Sequence, residues 1–224
     1  MSHHGVIFLS HELSSRVPVY GVKDAKLEMK NVKSIQNGDS CYTYWIGMEN
    51  HWGTHVDAPA HFFENASAVC DYPPEFWIFK HPQVAEVRVK ENELIGVEAL
   101  EGAIQRDTDF LILKTGFQRF RGQEKYSQYN PGVKAEAGNW LREKFGFLRA
   151  IGFDFVSISC FQNREEGRKA HRAFLDPQGV GHPILIVEDM NLRDDLQGLN
   201  EVWVVPLRVA GVDSSPCTVM GVLK

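Results

Sequence analysis

Three of the nine histidines fall within one short run, Asn50-His51-Trp52-Gly53-Thr54-His55-Val56-Asp57-Ala58-Pro59-Ala60-His61, with an aspartate between them. Imidazole nitrogens and one carboxylate suit zinc, manganese or iron, and three protein ligands leave a position open for water. His51, His55 and Asp57 are therefore candidate ligands of a divalent metal. His61 stands at the edge of the cluster as the candidate acid–base, because an imidazole titrates near neutrality. A fourth metal ligand is its competing role. A lone histidine in such a segment would read as a capping or hydrogen-bonding residue. The density of donors here, followed directly by Phe62 and Phe63, favours a metal site instead.

Gly53, Thr54 and Pro59 oppose a regular helix through this run, and Ala58, preceding Pro59, is pushed towards extended geometry. The expected carrier is a tight loop leaving a strand over residues 41–48. Further apolar, β-rich runs lie at 6–9, 84–89, 110–114, 148–158, 184–187, 202–207 and 217–222. Several are apolar on both faces, as in strands covered by other layers. A helix is expected over 132–145, with Val133, Ala137, Trp140, Leu141 and Phe145 on one stripe, and a shorter one over 97–104. Pro131 and Gly146 punctuate the longer pattern. Strands first, then strands mixed with helices, predict an α/β or α+β class with mixed β-sheet layers and flanking helices, α/β being the first choice, rather than a regular doubly wound fold. No repeat or linker divides residues 1–224, so one domain is expected.

The balance of 24 basic and 29 acidic residues leaves no basic face for a phosphate backbone, and nucleic acid is not an expected partner. No apolar run reaches the roughly 18 residues that a membrane-spanning helix needs. The apolar segment 6–9 is too short for a signal peptide and no Lys or Arg precedes it, so a cytoplasmic location is expected. His3 and His4 read as an ordinary terminus. The four cysteines are widely spaced and read as free thiols. Dinucleotide-binding, P-loop and serine-nucleophile motifs have no match.

The run from His51 to His61 resembles the HxGTHxDxPxH signature of the cyclase family of metal hydrolases, which includes bacterial kynurenine formamidases (arylformamidases) and isatin hydrolases. The similarity extends to Phe8-Leu9-Ser10-His11 with Pro18-Val19-Tyr20, to Leu111-Ile112-Leu113-Lys114-Thr115-Gly116-Phe117, to Asn130-Pro131-Gly132, and to the closing segment from Pro206 through Asp213-Ser214-Ser215-Pro216. The resemblance implies a swivelling β/β/α fold, usually assembled as homodimers or higher oligomers. It also implies that His51, His55 and Asp57 are first metal ligands and that His61 is catalytic. In the formamidase branch a second metal shares the aspartate and adds a histidine and a glutamate, which His171 and Glu188 match here. His182, in the longer segment 177–182, rivals His171, and Asp189 rivals Glu188. The family's Asp-x-x-Ser-x-Asp run ends here in Ser159, after Asp154, which reads as structural.

Two of these assignments have an independent physical basis. In the charged helical segment 163–175, His171 shares a face with Phe174 and Leu175 and points inward. Glu188 follows an apolar strand, where a buried carboxylate needs a cation, either a metal or an arginine.

The expected activity is hydrolysis of a small amide, most plausibly an aryl formamide, by hydroxide generated on one or two divalent ions. Zinc is the first choice of metal, with manganese or iron as alternatives. Hydrolysis of a cyclic amide or lactone is the second reading, and a metal-stabilised binding module the third. Tyr20, Trp45, Trp52, Phe62, Phe63, Phe76 and Trp77 would suit a flat aryl substrate, or ordinary core packing.

Overall fold

A computed structural model describes residues 5–22, 25–192 and 195–224; His3 and His4 lie outside the described residues. The strands of the first half are β1 (Gly5–Phe8), β2 (Glu28–Lys33), β3 (Thr43–Gly47), β4 (His55–Asp57), β5 (Ile78–Phe79), β6 (Pro82–Glu86) and β7 (Leu94–Ile95). Those that follow are β8 (Phe110–Lys114), β9 (Gly132–Val133), β10 (Ala150–Phe153), β11 (Leu185–Glu188), β12 (Leu199–Pro206) and β13 (Ser214–Leu223). Three helices accompany them: α1 (Glu124–Gln128), α2 (Ala135–Lys144) and α3 (Arg164–Leu175).

Nine strands form one mixed sheet in the order β5-β12-β13-β4-β11-β10-β8-β6, with β1 added to β13. The β6-β8-β10-β11 half is parallel, and β4 runs antiparallel to both β11 and β13. The sheet curls until β6 lies beside β12. This is the mixed α/β architecture expected from the sequence, and the fully buried β10 and β11 are the two-sided strands that their apolar runs indicated.

Alternation along these strands feeds two cores. Leu111, Leu113, Ile151, Phe153 and Ile186 face Leu141 of α2 and Phe174 of α3. Their neighbours Phe110, Ile112, Leu185 and Val187 pack with Phe79, Val202 and Val219 from the antiparallel half of the sheet. Period-two alternation makes this division unavoidable.

Local departures from expectation have local causes. Gly132–Val133 pairs with β7 as a short parallel strand, so α2 begins only at Ala135. A Cβ at Gly132 would sit 2.6 Å from the Cys160 backbone nitrogen, so only glycine permits this close approach. Over 97–104 a single 3-10 turn, Val97–Ala99, replaces the expected helix. The strand predicted over 148–158 ends at Phe153 because Asp154 turns its carboxylate to the backbone N–H groups of Thr115 and Gly116, at 2.9 and 2.7 Å. Among the described residues, no helix is long and apolar enough to cross a membrane.

Candidate active site

The metal-type motif is carried by a central strand rather than wholly by a loop. β4 is only three residues long, yet it lies between β11 and β13. Strand alternation sends His55 and Asp57 to the α3 side of the sheet, and Val56 into the second core. Register places Glu188 opposite His55, and Ser214 opposite Asp57. His51 lies in the turn before the strand, and His61 ends the 3-10 turn Pro59–His61 after it. Gly53 between them has φ +69°, and a Cβ there would meet Leu13 Cδ2 at 2.6 Å. Its carbonyl lies 2.8 Å from His55 Nδ1. Thr54 Oγ1 donates to the Asp189 carbonyl and accepts from the His11 N–H, which fixes the turn to its neighbours.

Three histidines share one arrangement: a ring nitrogen tied to oxygen on the outside, and the other nitrogen directed at carboxylates. His55 Nδ1 donates to the Gly53 carbonyl, while Nε2 lies 3.4 Å from Glu188 Oε2 and 3.6 Å from Asp57 Oδ1. His171 Nδ1 lies 2.9 Å from the Gly167 carbonyl and 3.2 Å from Ser159 Oγ, while Nε2 is 3.9 Å from both Asp57 Oδ2 and Glu188 Oε1. His51 Nε2 lies 3.0 Å from Asp213 Oδ2, with Nδ1 3.1 Å from Asp57 Oδ1. A neutral imidazole protonated on its outer nitrogen presents a lone pair inward. Such lone pairs facing carboxylates require a cation between them.

The buried polar atoms agree. Both Asp57 oxygens and His55 Nε2 are buried without a hydrogen-bond partner, and the 3.1 Å approach of His51 to Asp57 lacks hydrogen-bond geometry. Leaving such groups unpaired costs about 1–3 kcal/mol each, and more for a charge. Two three-donor groups share Asp57: His51, Asp57 and His61, and His55, Asp57 and Glu188. This donor set fits one divalent ion or two, and the oxygen partners of the outer nitrogens hold each ring in the orientation a metal ligand needs.

The electrostatics of the side chains themselves point the same way. Burial lowers the His55 pKa, but Asp57 and then Glu188 outweigh it and raise the group to about 9. At His51 burial is again outweighed, chiefly by Asp57, and the pKa is raised. Burial works against charge on Asp57, yet His55 and His51 hold its carboxyl well below the usual range. At His171 burial dominates and the pKa is lowered. The carboxylates thus favour positive charge at the imidazoles, the position that a dication competes for.

Beside these residues opens a cleft of about 320 Å³, lined by Tyr20, Trp52, Phe62 and His171 among others, a size for a small molecule. Phe62 stacks on the His171 ring, with centroids 4.7 Å apart.

Residues 7–159 match the family model described as putative cyclase. The chain belongs to the putative cyclase family. It is 26% identical to Cyclase-like protein 1 of Arabidopsis thaliana over 215 residues, which cover 93% of this chain and 81% of that protein. It is 28% identical to a kynurenine formamidase of Bacillus cereus over 171 residues, 76% of this chain and 75% of the relative. Its fold is similar to that of isatin hydrolase A from Labrenzia aggregata, with a TM-score of 0.80 and 20% identity, covering 98% of this chain and 93% of that one. A predicted metal-dependent hydrolase from Bacillus stearothermophilus has a TM-score of 0.76 at 20% identity, with 98% of each chain covered. At these identities the two structures show a shared fold.

Within this chain the downstream histidine and acid sort themselves by position. His182 Nε2 lies 2.8 Å from the Leu148 carbonyl, and His171 is the histidine that reaches Asp57 and Glu188. Asp189 faces away and is taken by Arg121 at 2.8 Å and the Tyr126 hydroxyl at 2.5 Å. Ser159, where the family pattern has a second aspartate, contacts His171 Nδ1. Of the seven aromatics near the motif, Tyr20, Trp52 and Phe62 line the cleft. Phe63 packs against the first core and Phe76 and Trp77 against the second, while Trp45 lies under Lys30 on the exposed β3.

Asp213 is the site residue that sequence reasoning missed. It immediately precedes β13, whose register with β4 brings it to the motif, and Ala58 N–H donates to its carbonyl at 2.9 Å. Its carboxylate contacts both His51 and His61. The resemblance takes in Asp213-Ser214-Ser215-Pro216, but no local spacing ties Asp213 to the motif, because the contact spans more than 150 residues of chain.

Proposed function

We propose that this chain is a metal-dependent hydrolase of a small amide, with an aryl formamide the leading substrate class. The observation that carries the reading is the convergence of His51, His55 and His171 on Asp57 and Glu188, with His61 left over at the cleft. A sealed structural site would have no use for that spare imidazole.

His51, His55, Asp57, His171 and Glu188 would hold one or two divalent ions, zinc being the first choice. When bound, such an ion acidifies water towards neutrality and polarises an acyl oxygen. The remaining work falls to side chains. Tyr20, Trp52 and Phe62 offer aromatic walls that suit a flat acyl or aryl group. His61 has Nδ1 engaged by Asp213, which leaves Nε2 to accept the proton of the attacking water. The same nitrogen returns that proton to the departing amine, so the C–N bond breaks without expelling an amide anion.

The chain's similarity to kynurenine formamidases supports the formamide, whose carbonyl is the least hindered of acyl groups. The exposed apolar residues of β2 and β3, including Met29, Val32 and Ile46, support self-association into a homo-oligomer. A cytoplasmic setting, with neither nucleic acid nor membrane as partner, completes the proposal.

The test combines elemental analysis with a panel of an aryl formamide, a cyclic amide and a lactone. Formamide turnover that disappears on chelation and returns with zinc is the expected result. Preference for the cyclic amide would reassign the substrate, and metal content without turnover on any of the three would favour a binding module.

A further inference from the structure

One carboxylate oxygen serves two imidazoles. Asp213 Oδ2 lies 2.7 Å from His61 Nδ1 and 3.0 Å from His51 Nε2. The other oxygen, Oδ1, accepts from Asn50 Nδ2 at 2.9 Å, and the same amide nitrogen donates to the Ser214 carbonyl at 3.2 Å. The plane of the carboxylate is therefore fixed from behind while its front faces the two histidines, whose ring centroids are 4.3 Å apart.

We infer that Asp213 is a positioning residue that sets the tautomers of His51 and His61 together and so ties a metal ligand to the acid–base group. The inference rests on the hydrolase reading above for what His61 does, but its structural content is independent of any substrate. An ionised carboxylate only accepts hydrogen bonds, so both histidines must present N–H to Oδ2. His61 is then protonated on Nδ1 and bare on Nε2. His51 is protonated on Nε2 and bare on Nδ1, the nitrogen that faces Asp57. One acceptor thus fixes the inward lone pair of a ligand and the free nitrogen of a base. The arrangement also explains Asn50, which begins the motif: without its amide the carboxylate could rotate away from both rings. An ordinary surface ion pair at this partly exposed position would add little stability and would leave chemistry unchanged.

The decisive variant is Asp213→Asn, which preserves shape. Asn50 donates towards Oδ1, so it holds the new amide oxygen on its own side and turns the NH2 towards the histidines. That NH2 needs a lone pair to donate to, which moves the His61 proton to Nε2 and leaves the Nε2 N–H of His51 without its acceptor. Nitrogen-15 NMR of histidine-labelled, zinc-loaded protein, assigned with a His61→Asn control, reads this directly. Wild type is expected to show His61 protonated on Nδ1, and Asp213→Asn to show it shifted to Nε2. Zinc affinity should fall roughly 10- to 100-fold, as for other losses of a ligand's supporting contact. On a substrate from the panel, kcat should fall roughly 10²- to 10⁴-fold with KM little changed, the range for a misoriented acid–base histidine.

A folded Asp213→Asn protein with an unmoved His61 signal and unchanged zinc affinity would overturn the inference. Should that variant not fold, Asn50→Leu carries the same measurement: a His61 signal moved towards a tautomer mixture supports the inference, and an unmoved one overturns it. Because tautomer and zinc affinity need no turnover, failure of the hydrolase reading would be seen separately, as inactivity of a wild-type protein with the expected spectrum.

Discussion

Glu188 faces His55 across neighbouring antiparallel strands, with Glu188 Oε2 3.4 Å from His55 Nε2. Glu188 Oε1 is meanwhile held by the Ile158 N–H at 2.7 Å and the Ser157 hydroxyl at 3.2 Å. One oxygen is anchored and the other is free for a cation, in register with a histidine whose own outer nitrogen is tied to Gly53. Strand pairing therefore presets half of the donor set before any ion arrives.

The first prediction follows from that relationship. Glu188→Gln retains an acceptor for the Ile158 N–H but removes a charge from a site that shares Asp57 between two donor groups. If wild type binds two divalent ions, as expected, the variant should bind one, with reduced activity and an unchanged melting temperature. Metal titration followed by elemental analysis decides the matter. Equal stoichiometry and rate in both proteins would make Glu188 a structural carboxylate.

His61→Ala should separate chemistry from metal binding. The remaining donors, His51, His55, Asp57, His171 and Glu188, still converge, so most of the metal should stay. Turnover should drop by roughly two to four orders of magnitude, the usual range when a general acid–base is removed. Loss of metal from this variant would instead make His61 a ligand, the role that its grouping with His51 and Asp57 also permits.

How legible this site was depends on the range of each contact. The spacing from His51 to His61 is local, and the chemistry it announces needs only those residues. His171 was readable from helical period, because Phe174 and Leu175 mark its face as inward, and the helix observed over Arg164–Leu175 buries all three. The strand nature of β4 was not readable. Three residues are too few for a period, and His55 and Asp57 sit in a strand only because β11 and β13 hydrogen-bond on either side. Asp213 was hidden for the same reason. Its partners come from sheet register, and an aspartate before a serine pair carries no local signal. The helix expected at 132–145 is a helix but begins three residues later, at Ala135, because the close approach of Gly132 to Cys160 is a tertiary fact.

Metal-free protein should show a pH dependence that the histidine cluster dictates. His55 is raised to about 9 in the folded state by Asp57 and Glu188 against the opposing effect of burial. Its unfolded value is about 6.5. A raised folded pKa means that the folded state binds the extra proton, so the stabilisation is complete below about pH 6.5 and disappears as pH rises through about 9. Denaturant unfolding after exhaustive chelation, at pH 6 and pH 10, should show a loss on the order of a few kcal/mol that His55→Gln reduces, with His51 supplying part of the remainder. Metal-loaded protein should lack this loss, because the ion takes the place of the proton. An identical pH profile for wild type and His55→Gln without metal would refute the assignment.

The last prediction concerns the acid next to Glu188, which faces the other way. Asp189 has φ +51°, a left-handed backbone conformation, so consecutive carboxylates leave the end of β11 on different sides. Its side chain is 1% exposed and meets Arg121 through two guanidinium nitrogens, at 2.9 and 2.8 Å, and the Tyr126 hydroxyl at 2.5 Å. Its backbone carbonyl accepts from Thr54, the residue before His55. The pair thus buttresses the motif turn without entering the cleft. Arg121→Ala would strand a buried carboxylate, which costs about 3–5 kcal/mol when one partner of a buried pair is removed. Arg121→Met combined with Asp189→Asn removes both charges, and asparagine tolerates the left-handed backbone, so that double variant should recover much of the loss. Chemical denaturation of the three proteins should give this order, with metal content retained in each variant that folds. A single variant no less stable than the double would show that the Asp189 charge does not depend on Arg121 for its compensation.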